Sequence, residues 1–304
     1  MPGRMQGPRT SLLASLVVVG TGALWGVYWL PVRRLSEAGL PGAWGTLAIV
    51  AAAALLLAPS ALRRRRQLVA ADPLTLAAVA LGGAAFVLYS VGFVYGRVAI
   101  VILLFYLTPV WSALLARFVM GWPVPALRVL AVAVGLSGLA VMLGADGTLP
   151  LPRGIGEWLA LASGLLWAGT TTAIRARAPL DPSAAAFVFA LGGCAAAALL
   201  TLLLVSSPQA PDAPQLLPLL VWAVPAGALW WGVSMIGLMW AVARLEPARA
   251  GILLMSEVLV GAASAAWLAG EWLSTAEFIG GALVLCAAVL EVWPVSRHRR
   301  RARP

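Results

Sequence analysis

Runs of about twenty apolar residues alternate with short polar stretches along nearly the whole chain, the pattern of helices that cross a hydrocarbon core. Ten such runs are expected, at 11–30, 40–58, 74–95, 98–119, 124–144, 155–174, 184–205, 217–242, 248–268 and 275–293. The stops between them carry turn and breaker residues, as in "APSALRRRRQ", "ADGTLPLPRG", "SSPQAPDAPQ" and "RLEPAR". In lipid every backbone N–H and C=O must be paired within the chain, so helices are the expected solution. The opening "MPGRMQGPRT" is positive and precedes an apolar run. It lacks a clear small-residue cleavage site, so this run is read as a retained first span.

Composition agrees. Of 304 residues 62% are hydrophobic and 11% charged, against roughly a quarter charged in soluble domains. The net charge of +10 comes from arginine alone, and the arginines punctuate apolar runs instead of forming an aromatic-laced patch. That placement excludes nucleic acid as a partner and points to anionic lipid head groups. With the N-terminus inside, 17 of the 21 arginines fall on the inner side. Arg63 to Arg66 and the tail 294–304 are among them, which places both termini in the cytoplasm. Cys194 and Cys286 lie in apolar runs, and the one histidine is in the tail. No disulfide, metal site or cofactor is expected.

The two halves echo each other. "LWGVYWLPVR" from Leu24 and "LWAGTTTAIR" from Leu166 share Leu-Trp and an arginine eight residues after the Trp. "LLFYLTPVWSALLARFVMGW" from Leu103 and "LLMSEVLVGAASAAWLAGEW" from Leu253 align at an offset of 150. Five spans per copy is odd, so the second copy enters from the opposite face. The expected fold is all-α, two inverted five-helix repeats at 11–144 and 155–293, with a site between them near the midplane.

These stretches, with "GALWGVYWLPVRRL" in span one and the sequence from Leu253 through Gly280-Gly281, resemble the drug/metabolite transporter superfamily, specifically its ten-helix EamA-type permeases. The resemblance covers nearly the whole chain. It implies a secondary carrier of the bacterial inner membrane, usually an exporter of small metabolites or drugs, with a cavity among spans one, three, four, six, eight and nine. Two positions depart from the pattern. Gly121 stands where the family often ends span four with an acid, and Val258 where proline often follows the acid matching Glu257.

Glu257 is the one acid well inside a span. An acid at the bilayer centre costs about 2.5–3.5 kcal/mol on insertion scales, so it should face a cavity or a partner. It would carry protons or pair a cationic cargo; alternatively, it bonds Ser256, Ser264 or a neighbouring helix as structural glue. Trp25, Tyr28 and Trp29 share one face of span one by their spacing. With Tyr89, Tyr106, Trp167, Trp230 and Trp231 they would line a site for a planar or cationic solute, or simply pack. Trp122, Trp158, Trp272 and Trp293 fit interfacial belts. Thr171 and Ser234, with Ser256, offer hydroxyls to a polar cargo or to their own helix carbonyls. Pro31 is expected to end span one, and Pro109 to act as a hinge or a static kink in span four.

The chain lacks HExxH, a Ser-His-Asp set, a phosphate loop and paired intramembrane carboxylates, so an enzyme is not expected. The chief reading is a secondary exporter of amino-acid-like metabolites or amphipathic, cationic drugs. The rivals are a facilitative uniporter or exchanger, a channel-like path, and a membrane scaffold.

Overall fold

The computed structural model describes residues 8–119, 121, 125–145, 151–175, 180–204, 213–245 and 247–292. Trp122, Trp293 and the basic tail lie outside the described residues. In chain order the helices of the first half are α1 (Pro8–Gly26), α2 (Trp29–Glu37), α3 (Ala43–Arg63), α4 (Arg65–Ala70), α5 (Pro73–Tyr95), α6 (Val98–Phe105), α7 (Thr108–Phe118) and α8 (Ala126–Leu143). The second half has α9 (Ile155–Arg175), α10 (Pro182–Leu204), α11 (Ala213–Ala226), a π-helical segment (Gly227–Val233), α12 (Ser234–Val242), α13 (Pro247–Leu254), α14 (Ser256–Ala269) and α15 (Thr275–Val292). No strand occurs among the described residues.

Eight helical stretches among them are long and apolar enough to cross a membrane. Two expected spans fall short by that measure. The 21-residue α9 carries Glu157 and three threonines, and the apolar part of the last helix is the shorter stretch Thr275–Leu290. The short helix α4 was not foreseen.

Proline chemistry shapes the first span differently from expectation. Pro31 does not end it: the stretch runs from Arg9 to Glu37. Instead the helix breaks four residues earlier, because Pro31 has no N–H for the Val27 carbonyl. Tight turns replace the regular ladder, with Val27 N–H to Leu24, Tyr28 N–H to Trp25 and Leu30 N–H to Val27. Pro109 acts alike between α6 and α7. The Phe105 carbonyl it leaves free accepts the Thr108 hydroxyl at 2.6 Å. At the aligned place in the second half, α13 and α14 part at Met255 without any proline. There the Ser256 hydroxyl bonds the Leu253 carbonyl at 2.9 Å, and Val258 N–H turns to Met255. A side chain competing for helix carbonyls bends a helix in this way.

Packing follows the halves. α8 lies against α15, and α3 against α10. α1 packs on α13 and α14, and its counterpart α9 packs on α7 and α6. α5 lies against α9, as α12 lies against α1. Exchanging the two halves therefore maps this set of neighbours onto itself.

Both halves start a helix with Asp-Pro. Asp72 caps α5, and Asp181 caps α10 by accepting from Ser183 N–H at 3.0 Å. Proline at the first helical position wastes no hydrogen bond. Asp181 also pairs with Arg64 at 2.8 Å, tying the α3–α4 junction to the start of α10. Burial alone would raise its pKa, but Ser183 and Arg64 hold it below the usual carboxylate range. A depressed pKa contributes stability above the ordinary value that disappears as pH falls through the lowered one. Asp181→Ala should therefore cost about 1 kcal/mol at neutral pH, the usual worth of a cap. Thermal unfolding in detergent should show that gap closing below about pH 4. A gap of constant size from neutral pH down to well below the ordinary carboxylate value would contradict the ionised cap.

Candidate functional site

The three helix breaks, at 27–28, 106–107 and 255, border one buried polar centre. Glu257, in the first turn of α14, is 1% exposed. The Tyr89 hydroxyl of α5 donates to its Oε1 at 2.7 Å. The Tyr106 hydroxyl, at the α6–α7 break, lies 3.1 Å from Oε2 and 2.8 Å from the Leu254 carbonyl. Its single proton serves one of these acceptors at a time. The Leu254 carbonyl is free to accept because Val258 N–H, which would bond it in a regular helix, turns to Met255. The break thus supplies the acceptor.

Aromatic rings surround this centre. Phe86 of α5 is the hub, 5.0 Å from Trp25, 5.3 Å from Tyr28 in a stacked pair, 5.8 Å from Tyr89 and 5.1 Å from Trp231. Phe105 bridges Tyr89 at 4.7 Å and Trp167 at 6.1 Å, and Phe189 bridges Trp167 and Trp231. Each such pair is worth about 0.5–1.5 kcal/mol beyond its burial.

Most polar tips of these rings find partners, as buried polar groups must. Trp25 Nε1 donates to Ser234 Oγ at 2.9 Å, Trp230 Nε1 to the Leu24 carbonyl at 2.6 Å, and Trp231 Nε1 to Tyr28 Oη at 2.9 Å. Ser90 Oγ donates to Tyr28 Oη at 3.1 Å and meets Thr46 Oγ1 at 2.8 Å. Three indole bonds therefore join the broken α1–α2 span to the π-helical segment and α12. π-Helical turns recur at functional sites because they re-aim side chains out of helical register.

Of the residues singled out from sequence, Trp25, Tyr28, Tyr89, Tyr106, Trp167, Trp230, Trp231 and Glu257 meet in this one cluster. Trp29 turns aside. Its Nε1 donates to Ser264 Oγ at 2.9 Å, and the Arg33 guanidinium sits over its ring at 5.4 Å. The helix break separates it from the face of Trp25 and Tyr28. Thr171 donates to the Trp167 carbonyl at 2.7 Å, Ser234 to the Trp230 carbonyl at 2.5 Å, and Ser256 to Val19 and Leu253. These hydroxyl protons go to backbone. Glu257 bonds neither Ser256 nor Ser264 but two tyrosines. Sequence reasoning missed Phe86, Phe105 and Phe189, which carry no polar handle. It also missed four charged residues at span ends, Arg33, Arg97, Glu271 and Glu277.

Comparison with known proteins fits the helical architecture. A solved structure described only as "Crystal structure of protein" superposes with a TM-score of 0.60 at 19% identity, covering 91% of this chain and 95% of that one. Its likeness bears on the fold alone. No curated protein matches the sequence significantly. The model of the EamA-like transporter family matches twice, over residues 12–144 and 154–293. The chain belongs to the EamA-like transporter family of the drug/metabolite transporter superfamily, and is a multi-pass membrane transporter of small molecules rather than an enzyme.

Proposed function

We propose that this transporter is a secondary active exporter with ten spans in two inverted repeats, both termini in the cytoplasm of a bacterial cell. In this reading α9 and α15 complete the ten. The exchange symmetry of the packing supports it, as do the ion pairs. Arg64 and Asp181, both assigned inside by the arginine count, pair with each other. Arg33 and Glu271, both assigned outside, do the same.

The observation that carries the proposal is Glu257, buried between two tyrosine hydroxyls and walled by rings. The geometry is satisfied in either protonation state. Ionised, the carboxylate accepts from Tyr89 and Tyr106. Protonated on Oε2, it donates to Tyr106 Oη, and the Tyr106 hydrogen turns to the Leu254 carbonyl. A proton can therefore come and go without leaving a buried polar group unpaired, which would otherwise cost about 1–3 kcal/mol. Glu257 is shut off from solvent here, so access needs movement at the helix breaks, with Pro109 beside one hinge. The cargo that fits is a small organic solute with an apolar or planar body, and a cationic group on it would be matched by the acid and the ring faces.

Purified protein in liposomes tests this, screened against amino acids, nucleosides and cationic dyes with and without a pH gradient. Saturable flux with counter-exchange, accelerated by the gradient, is expected. Saturable exchange indifferent to the gradient would instead support a uniporter or exchanger. Flux that never saturates would reject a carrier.

A further inference from the structure

At one end of the bundle, charged side chains from separate stretches are cross-tied. Arg33 of α2 pairs with Glu271, just past α14, at 2.7 Å. The same guanidinium donates to the Phe93 and Gly96 carbonyls at the end of α5, both at 2.9 Å. The second oxygen of Glu271 accepts Val98 N–H, opening α6, at 2.7 Å. Beside it, Arg97 pairs with Glu277 at the start of α15 and donates to the Trp272 carbonyl at 2.8 Å. Glu277 also accepts Ser274 N–H at 2.8 Å. The Arg33 and Glu271 side chains are 24% and 15% exposed, so water competes weakly for them. Multidentate, partly desolvated pairs of this kind hold far better than an isolated surface pair.

The repeat makes this cluster lopsided. The offset of 142 that carries Trp25 onto Trp167 carries Arg33 onto Arg175. The offset of 150 between the fourth and ninth spans carries Glu271 back onto Gly121. The first half thus has the arginine and lacks the acid. The backbone shows how this arises. In the second half the left-handed glycine that ends the helix is Gly270, with φ +67°, and the acid follows it. In the first half the left-handed glycine is Gly121 itself, also at φ +67°, standing in the place of the acid.

We infer that the Arg33–Glu271 and Arg97–Glu277 pairs form a latch that shuts this end of the pathway, and that its Arg33–Glu271 half has no equivalent in the repeat, where Gly121 replaces the acid. The inference rests on the alternating-access reading above. The latch also has a mechanical link to the site. Arg33 lies over Trp29, and Trp29 bonds Ser264, two turns along α14 from Glu257. A shift of Glu257 and α14 on loading therefore pulls on the arginine that holds the end shut. Two packings of this kind, a few ion pairs apart, are how small displacements become a switch.

The test uses thiol labelling in nanodiscs, where both ends meet water. In a background with Cys194→Ala and Cys286→Ala, a reporter is placed at Val101→Cys, fully buried beneath the latch. A second, separate reporter is Thr172→Cys, half-buried near the far end of α9. Glu271→Gln combined with Glu277→Gln should raise the Val101→Cys labelling rate at least about fivefold, as expected for a typical coupling between sites. It should lower the rate at Thr172→Cys. An unchanged rate at Val101→Cys overturns the latch. A rise at both reporters also overturns it, because that reports general loosening and not a change of which end is open. Labelling is read without cargo, so a failed liposome screen and a failed latch are separate results.

Discussion

Glu257→Gln should abolish the response of transport to pH and lower the initial rate about 10- to 150-fold, the equivalent of one hydrogen bond to a charged group at about 1.5–3 kcal/mol. The amide matches the carboxyl in size and bonding. Its oxygen still accepts the Tyr89 hydroxyl. Its nitrogen donates to Tyr106 Oη, whose hydrogen turns to the Leu254 carbonyl, 2.8 Å away. The variant therefore resembles the protonated state held permanently, and it should fold and elute as the parent does. It cannot ionise, so it neither releases a proton nor pairs a cation. Initial uptake into liposomes across pH 5 to 9 makes the comparison, with the parent varying and the variant flat. A variant that transports at the parental rate with the parental pH profile would reduce the acid to helix glue.

Some of this centre was legible in the sequence and some was not, for physical reasons. Glu257 stood out because a charge in an apolar span is expensive, and expense implies a purpose. Tyr89 and Tyr106 were visible as polar-tipped rings near mid-span. Their bonds to Glu257 were not, since the partners are 168 and 151 residues away. Nothing in a uniformly apolar helix says which way it is rotated. Helices α5 and α10 are apolar all round, so no polar stripe marks a facing side. That is also why Phe86 and Phe189 went unnoticed although they hold the ring cluster together. The break at Pro109 was foreseeable from its missing N–H. The break at Met255 was not, because Val258 stands where a proline would have given it away and the disruption comes from a serine hydroxyl. Arg33, Arg97, Glu271 and Glu277 read as span ends under the arginine count, which explains charge near an interface without asking whether it pairs.

The contact most sensitive to a single methyl group lies between α5 and α10, and it tests the fold independently of any cargo. Gly83 of α5 faces the α10 backbone. A Cβ there would overlap the Phe189 carbonyl oxygen and come within 2.9 Å of Gly193 N. Gly192 of α10 faces back, where a Cβ would overlap the Ala80 carbonyl. Small residues let membrane helices approach this closely, and dispersion at short range then replaces the hydrophobic drive that lipid cannot supply. The obstructing atoms are backbone in regular helices, so they cannot rotate away as a side chain would. Gly83→Ala should cost at or above the upper end of the usual 1–3 kcal/mol for overpacking. The gain in helix propensity on replacing glycine offsets only about 1 kcal/mol. The net is a loss of about 2 kcal/mol, read as a lower melting temperature in detergent and a lower folded yield. Gly20 of α1, with nothing within 4 Å of its added Cβ, provides the opposite sign. Gly20→Ala should leave the melting temperature unchanged or raise it. Phe86 and Tyr89 share α5 with Gly83, and Phe189 sits at the contact itself, so spreading these helices would also disperse the rings around Glu257. If Gly83→Ala melts no lower than Gly20→Ala, then α5 and α10 do not meet at these glycines, and the ring cluster that depends on their approach is wrongly assembled.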